Sequence, residues 1–450
     1  MKSMQNALQQ ALQLHQAGDF EAAQAAYVGM LQQNPSNSEV LYLLGSVCYQ
    51  MGDLGLGKQY LEQSLTLKPD NPFALNNLGL VLAGTHNFSE AMAHYQQALR
   101  IKPDYLEAYN NLGNCYQSLH DYEKALVFYQ QAIAIKPDYL KAIRNQGLAY
   151  QKLGQFDAAI KAFEKLIMLN SNSSEDLYNL ANVYLTLDQS QQALAYYDRA
   201  LALNPQYAHA YYNRGIVLQK HKDYQAALAS FTSALTLEPG LNDGLSSVRY
   251  LKNSLCDWSD YSKDVEQILQ NALAGEFAVS PFALLLLTDN PQIQFESARQ
   301  FSQTLIPSTQ VFQHNKPIRS RICLGFYSAD FYDHATLHLL LETLESLSTS
   351  AFELIAFNLG PVTGDDWQRR AQHRFDQFID CRALTDQAIG ELSRRLAVDI
   401  AIDLKGYTQD ARPGIFSTRP APIIVNYLGF PGTMASPYHD YLIADKRVIP

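Results

Sequence analysis

The sequence predicts an α + α/β protein, in which an array of helical hairpins precedes a lobe built on a parallel sheet. Two observations lead to this prediction. Small residues and prolines recur at a fixed spacing through the first half of the chain. In the second half, short apolar runs alternate with amphipathic runs of about ten residues, a pattern typical of parallel strands joined by right-handed helical crossovers.

Composition limits the classes of function. With 450 residues, 47% of them hydrophobic and 17% charged, the chain can bury a large core in more than one domain. A net charge of −10 argues against nucleic acid or an anionic membrane surface as the main partner. The chain has no run of about 18 apolar residues, and its N-terminus has no apolar signal segment. The five cysteines are scattered and form no metal motif. We therefore expect a cytoplasmic protein with no membrane span and no bound metal.

The repeats define seven units over residues 4–241. One register is Gly45, Gly79, Gly113, Gly147, Ala181 and Gly215, and registers of alanine and proline share its spacing. This pattern resembles the tetratricopeptide repeat. The small residue lets helices A and B of each hairpin approach closely, and each proline ends a helix B. Because a single unit exposes an apolar face, the units are expected to stack into a superhelix.

A register of asparagines bears on partner binding. It comprises Asn77, Asn111, Asn145, Asn179 and Asn213. These residues lie on helix A, which lines the concave surface, and an amide offers both a donor and an acceptor to the backbone of an extended peptide. The alternative is that each amide forms hydrogen bonds only with neighbouring backbone. Spacing alone leaves both interpretations, peptide binding and local bonding, open. We expect protein acceptors along the concave surface, and a homodimer through the repeats is a further expectation.

Residues 242–316 are predicted to form a helical joint and a linker. Residues 245–275 are expected to form one or two helices, Ser280-Pro281 a break, and residues 306–320 a polar linker. Trp258 is predicted to be buried, fixing the repeats against the next domain.

Residues 317–450 are predicted to form a Rossmann-like lobe. The expected strands are residues 322–326, 352–359, 375–380, 398–404, 423–428 and 441–444, and the expected helices begin near 334 and span 365–373 and 385–396. Polar residues follow three of these strands. They are Asp330 and His334, then Lys405 to Thr408 with Arg412, then Gly429 to Thr433. Because the carboxyl ends of parallel strands meet at one edge, these residues are expected to converge.

Asp330 and His334 admit two interpretations. A carboxylate beside an imidazole can orient it for proton abstraction from a hydroxyl near neutral pH. Alternatively, Asp330 caps the following helix and His334 is a surface residue of its first turn. Spacing alone favours the second interpretation.

Six segments carry a resemblance to a known family. They are Cys256-Asp-Trp-Ser-Asp-Tyr261, Ser328-Ala-Asp-Phe-Tyr-Asp-His334, Asp403-Leu-Lys-Gly-Tyr-Thr408, Arg419-Pro-Ala-Pro422, Tyr427-Leu-Gly-Phe-Pro-Gly-Thr433 and Asp440-Tyr-Leu-Ile-Ala-Asp445. Together with the repeats before them, they resemble the protein O-linked N-acetylglucosamine transferase family, in particular its bacterial SPINDLY-like branch. The resemblance implies a GT-B glycosyltransferase with two Rossmann-like lobes, of which this chain holds the first. It implies an inverting transfer from a nucleotide sugar to Ser or Thr of proteins, with neither metal nor cofactor.

The resemblance also implies roles for individual residues. Asp330 and His334 would lie beside the acceptor hydroxyl and the sugar, and Thr336 near the donor. Leu428, Gly429 and Pro431 would wall the sugar.

Two departures from the family pattern affect the predicted activity. The stretch Val279-Ser-Pro-Phe282 lacks the additional active-site histidine of the animal enzymes. The role of that histidine is therefore not carried over, and the resemblance implies either of two donors: UDP-N-acetylglucosamine, or the GDP-fucose used by plant SPINDLY. The chain reaches Ile449-Pro450 where a further crossover is expected, so the 450 residues alone are predicted to bind protein without turnover. A non-catalytic tetratricopeptide scaffold is the alternative function.

Overall fold

The computed structural model describes residues 2–241, 244–275, 279–305, 320–408, 410–430 and 432–444. The linker predicted at 306–320 lies outside these residues except at position 320. By the contacts between residues, the chain forms two compact units, Met1–Val183 and Tyr184–Pro450. No helix in the described part of the chain is long and apolar enough to cross a membrane.

The first unit consists of antiparallel helix pairs. Its helices are α1 (Lys2–Gln16), α2 (Phe20–Gln33), α3 (Ser38–Gln50), α4 (Leu54–Leu67), α5 (Pro72–Gly84), α6 (Phe88–Ile101), α7 (Leu106–Ser118), α8 (Tyr122–Ile135), α9 (Leu140–Lys152) and α10 (Phe156–Leu169), and α11 (Ser174–Thr186) crosses into the second unit. Side chains cap several of these helices: Asn71, for example, accepts hydrogen bonds from the Phe73 and Ala74 backbone N–H groups.

The small-residue register has the packing role that the period predicts. A Cβ atom on Gly79 would lie 2.5 Å from Cε1 of Tyr95, and one on Gly113 would lie 2.4 Å from Cε1 of Tyr129. Both tyrosines are buried at the centre of their hairpins. Each glycine therefore lets an aromatic side chain of helix B pack directly on the backbone of helix A.

The second unit continues with helices up to the sheet. They are α12 (Ser190–Leu203), α13 (Ala208–Lys220), α14 (Tyr224–Leu237), α15 (Gly244–Ser254), α16 (Tyr261–Ala274), α17 (Pro281–Leu285) and α18 (Pro291–Gln303). The predicted burial of Trp258 is wrong, since this residue is 62% exposed. Arg249, by contrast, is fully buried, and it donates hydrogen bonds to the carbonyl oxygens of Asp257 and Ser259. The backbone on either side of Trp258 is thus held by a guanidinium, and the indole stays outside.

The lobe contains a six-stranded parallel sheet in the described residues, with the order β3-β2-β1-β4-β5-β6. Its strands are β1 (Ile322–Ser328), β2 (Phe352–Asn358), β3 (Gln377–Asp380), β4 (Ile400–Asp403), β5 (Ile423–Tyr427) and β6 (Tyr441–Ile443). Its helices are α19 (Ala335–Ser346), α20 (Asp366–Arg374), α21 (Asp386–Arg395) and the short α22 (Gly414–Ser417), which the sequence did not predict. The predicted fold class is confirmed.

Strand β1 is central and buried on both faces, because its side chains feed two cores. Leu324 and Phe326 pack in a cluster with α19, and Cys323 and Tyr327 pack in a cluster on the opposite face. The strand order reverses between β1 and its neighbour β4, and in open α/β sheets ligands bind at such a switch point, outside the carboxyl ends of the strands. We call this end of the sheet, marked by Ser328, Asp403 and Tyr427, the carboxyl edge.

Candidate active site at the carboxyl edge

Asp330 lies two residues beyond β1 and is 5% exposed. Its backbone N–H donates to Oγ of Ser328 over 2.9 Å, which turns the chain as the strand ends. Three groups converge on a single oxygen of its carboxylate. Oδ2 lies 2.7 Å from Nζ of Lys405, accepts a hydrogen bond from Oγ1 of Thr336 over 3.2 Å, and lies 3.5 Å from Nδ1 of His334. Within the described residues Oδ1 accepts no hydrogen bond.

His334 occupies the N-cap position of α19. Its Nδ1 accepts a hydrogen bond from the Thr336 backbone N–H over 3.2 Å. The interpretation that Asp330 caps this helix is therefore wrong, because the imidazole itself satisfies the free N–H group. In this arrangement the proton of the neutral ring is on Nε2. The side chain is 38% exposed, so its outer nitrogen is accessible to a substrate.

Asp330, His334 and Thr336, all predicted from the family motif, are thus brought together by one strand end and one helix start. The Thr336 hydroxyl donates a hydrogen bond to Asp330, so the Thr336 oxygen can still accept one.

The predicted sugar wall follows β5. Leu428 has a φ of +75° and is 37% exposed. A Cβ atom on Gly429 would lie 1.7 Å from the carbonyl oxygen of Leu404, so only glycine fits at this position. Pro431 lies outside the described residues. The turn after β5 is therefore packed directly on the turn after β4.

The turn after β4 connects the two groups of predicted site residues. Oδ1 of Asp403 accepts hydrogen bonds from the backbone N–H groups of Lys405 and Gly406 over 2.9 and 3.0 Å. The ammonium of Lys405 extends from this turn to Asp330, and the Lys405 side chain is 9% exposed. The sequence placed Lys405 at this edge, but its pairing with Asp330 had no sequence signal, because 75 positions separate the two residues.

Arg412, also placed at the edge from the sequence, has a structural role. Its guanidinium pairs with Asp386 and donates to the carbonyl oxygens of Cys381 and Leu384. It therefore holds the loop between β3 and α21.

No group of three or more His, Cys, Asp or Glu side chains in the described part of the chain is arranged to hold a metal ion.

The asparagine register lies on the predicted helix A of each hairpin, with its members on α5, α7, α9, α11 and α13. In the first unit its amides bond to the preceding repeat. Nδ2 of Asn77 donates to Oγ of Ser46 over 2.7 Å, and Nδ2 of Asn111 donates to Oδ1 of Asn76 over 2.9 Å. Nδ2 of Asn145 donates to Oδ1 of Asn110 over 3.0 Å, and to a second asparagine of that repeat. The partners are side chains and not the backbone that the alternative interpretation expected.

Two further members differ in burial and position. Asn179 on α11 is 8% exposed, and Asn213 is half-buried on α13. Among the described residues, Oδ1 of Asn111 and Oδ1 of Asn145 accept no hydrogen bond. The amide donors of these two residues are therefore used between repeats.

The fold and the site define a protein with a tetratricopeptide array followed by a Rossmann-like lobe that carries polar groups at the switch point of its sheet. Residues 255–450 match the family described as glycosyl transferase family 41. Tetratricopeptide repeat families match residues 36–104, 74–138, 104–172 and 180–249.

Similar curated proteins carry transferase names. The probable UDP-N-acetylglucosamine-peptide N-acetylglucosaminyltransferase SEC of Arabidopsis thaliana is 30% identical over 213 residues, covering 44% of this chain and 22% of that protein. The corresponding SPINDLY protein of Oryza sativa subsp. japonica is 25% identical over 150 residues, covering 32% of this chain and 16% of that protein. The matches thus span less than a quarter of the length of these relatives. The predicted resemblance to the protein O-linked N-acetylglucosamine transferase family is confirmed.

Among solved structures, a mutant of the Thermobaculum terrenum O-GlcNAc transferase aligns with a TM-score of 0.40 and 23% identity. The alignment covers 69% of this chain and 54% of that one.

Proposed function

We propose that this chain is part of a protein O-glycosyltransferase that transfers N-acetylglucosamine from UDP-N-acetylglucosamine to Ser or Thr of proteins bound by its repeats. The observation that carries the proposal is the convergence of Asp330, His334 and Thr336 at the switch point of a lobe that matches glycosyl transferase family 41. A remnant sheet in a scaffold protein would have no need for polar side chains gathered at this edge.

The transfer forms one bond and breaks another. The oxygen of the Ser or Thr hydroxyl bonds to the anomeric carbon of the sugar, on the face opposite the diphosphate. The bond from that carbon to the diphosphate oxygen breaks, and its electron pair leaves with the nucleoside diphosphate. Because the transition state resembles an oxocarbenium ion, a base must accept the hydroxyl proton and positive groups must stabilise the departing diphosphate.

We assign the acceptor side of this reaction to Asp330 and His334. Oδ1 of Asp330 accepts no hydrogen bond among the described residues, so the Asp330 carboxylate can take the proton of the substrate hydroxyl as the base. The exposed imidazole of His334 is adjacent to it. The Thr336 oxygen can accept a hydrogen bond from a hydroxyl of the nucleotide sugar, and Leu428 and Gly429 form part of the wall of the sugar site. Neither metal ion nor cofactor takes part in the proposed reaction, so chelation with EDTA should leave the rate unchanged.

The repeats would hold the acceptor protein by its backbone. The open carbonyl oxygens of Asn111 and Asn145 suit the N–H groups of an extended peptide. Binding through backbone N–H groups reads little of the peptide sequence.

The test is a transfer assay on the protein as its own cell produces it, with labelled UDP-N-acetylglucosamine and, in parallel, GDP-fucose. We expect transfer from the first donor, and loss of that transfer in His334→Ala. His338→Ala is the matched control, because His338 lies one turn further along α19 and pairs with Asp333 over 2.8 Å on the surface. Its transfer rate should equal that of the wild type.

Other outcomes identify the alternatives. Transfer from GDP-fucose alone would retain the enzyme class and change the donor. Full activity in His334→Ala would contradict the role of this residue. Absence of transfer from either donor, together with retained client binding, would favour a non-catalytic tetratricopeptide scaffold.

A further inference from the structure

Lys405 and Asp330 form a buried ion pair at the carboxyl edge. Nζ of Lys405 lies 2.7 Å from Oδ2 of Asp330, and the two side chains are 9% and 6% exposed. Removing two charges from water costs several kcal/mol per ion, and an apolar pair of the same volume is often as stable. Stability alone therefore gives little reason for a lysine here.

The backbone of Lys405 is fixed from two directions. Its N–H donates to Asp403, which is itself 2% exposed. From the other side, a Cβ atom on Gly429 would lie 2.9 Å from Cα of Lys405. A lysine with a rigid backbone and a buried ammonium has little freedom, so its charge occupies a defined point between the turn after β5 and the residues after β1.

The oxygen that Lys405 contacts, Oδ2 of Asp330, also accepts the hydrogen bond from the Thr336 hydroxyl and lies 3.5 Å from Nδ1 of His334. If this oxygen moves, Thr336 loses its hydrogen-bond acceptor, and the first turn of α19 loses the contact that ties it to the strand end.

We propose that Lys405 is a positioning residue of the transfer site. Its ammonium fixes the Asp330 carboxylate, and through Asp330 it fixes Thr336 and the start of α19 relative to the sugar wall. The role is one of position, because the contact is to Asp330 and not to the reacting atoms. This inference rests on the proposed function for its kinetic consequence, while its structural consequence can be measured without any activity.

The structural readout is hydrogen exchange over residues 330–337 in the full chain. Lys405→Met should speed exchange of these amides roughly tenfold, since the carboxylate then faces no counter-charge and the cap of α19 loosens. Arg321→Met is the matched control. Arg321 pairs with Asp376 over 2.9 Å at the opposite end of β1, so its loss should leave residues 330–337 unchanged.

The kinetic readout compares the effect of each substitution on kcat with its effect on KM. We expect Lys405→Met to lower kcat at least about tenfold with the donor KM little changed, because a small misplacement of a reacting group acts on the chemical step. Lys405→Arg, which keeps the charge, should recover most of the rate. In an Asp330→Asn background, Lys405→Met should add little further loss, since both changes remove one interaction. Lys405→Gln, which keeps a neutral donor, replaces Lys405→Met if that variant fails to fold.

The outcomes are separable. Exchange and kcat both unchanged in Lys405→Met or Lys405→Gln would overturn the inference, and so would faster exchange with an unchanged kcat. If the wild type transfers no sugar, the proposed function fails, and exchange over residues 330–337 still decides whether Lys405 positions this segment.

Discussion

The Nε2 atom of His439 lies 3.1 Å from Oδ2 of Asp403, and the two side chains are 7% and 2% exposed. The other oxygen of Asp403 accepts hydrogen bonds from the backbone N–H groups of Lys405 and Gly406. The ring of His439 packs beside Phe416. A single carboxylate therefore links the end of β4 to the segment before β6. The turn that carries Lys405 depends on this link.

Asp403→Ala should lower the free energy of unfolding of the lobe by about 3–5 kcal/mol, because it leaves two backbone N–H groups and a buried imidazole without their acceptor. Asp403→Asn should lose less stability, because the carbonyl oxygen of the asparagine can still accept hydrogen bonds from the two backbone N–H groups. The measurement is the shift in the denaturant midpoint of the lobe, with unfolding detected by near-ultraviolet circular dichroism. Equal stability of Asp403→Ala and the wild type would show that the turn is held by other contacts.

Gly429→Ala should disrupt the sugar wall. The new methyl group would overlap the carbonyl oxygen of Leu404, a backbone atom that cannot rotate away, so the turns after β4 and β5 must separate. We expect a lower unfolding midpoint and weaker binding of nucleotide sugar, measured by calorimetry. Gly29→Ala is the control, because a Cβ atom at Gly29 in α2 meets nothing within 4 Å. It should be neutral or stabilising by up to about 1 kcal/mol.

Much of the lobe could be predicted from the sequence because its strands and helices have different periods. The apolar run into β1 and the leucines of α19 each determine their own element locally. Pairing across the sheet is not local. The Lys405–Asp330 contact exists because β4 lies beside β1, and no spacing in the sequence encodes that neighbour. The exposure of Trp258 was missed for a related reason. The segment around Trp258 is held by hydrogen bonds from the buried Arg249 to backbone carbonyls, and these contacts have no signal in the sequence.

Client binding by the repeats should depend on Asn111 and Asn145. Replacing both with Ala should weaken binding of an extended acceptor peptide at least about tenfold, since two amide contacts are lost. The same change also removes hydrogen bonds to Asn76 and Asn110, so the control is the pair Asn76→Ala and Asn110→Ala. The control removes two of the three hydrogen bonds that Asn111 and Asn145 donate between repeats, leaves the one to Asn114, and keeps the register. Equal affinity of the two double variants, measured by fluorescence anisotropy, would contradict a direct peptide contact.

The native protein should expose one reactive thiol. Cys256 is exposed, while Cys48, Cys115, Cys323 and Cys381 are buried. Burial raises the pKa of the Cys115 thiol to about 11 and that of Cys381 to about 12, so these two remain protonated at pH 8. We expect a thiol reagent at pH 8 to modify Cys256 alone, and all five cysteines in denaturant. Peptide mapping that found Cys115 or Cys381 labelled in the folded protein would show that the interior opens.

Tyr27 should make the repeats less stable at alkaline pH. Burial raises the pKa of its hydroxyl to about 12, above the value near 10 of an exposed tyrosine. Because the folded pKa is the higher one, the stabilisation is fully present below about pH 10 and is lost as pH rises toward 12, where the unfolded chain ionises first. Tyr27→Phe has no ionising group there, so the stability lead of the wild type over this variant should shrink between pH 9.5 and pH 11.5, as measured by urea unfolding. A constant difference in unfolding free energy over that range would mean that the Tyr27 hydroxyl ionises equally easily in both states.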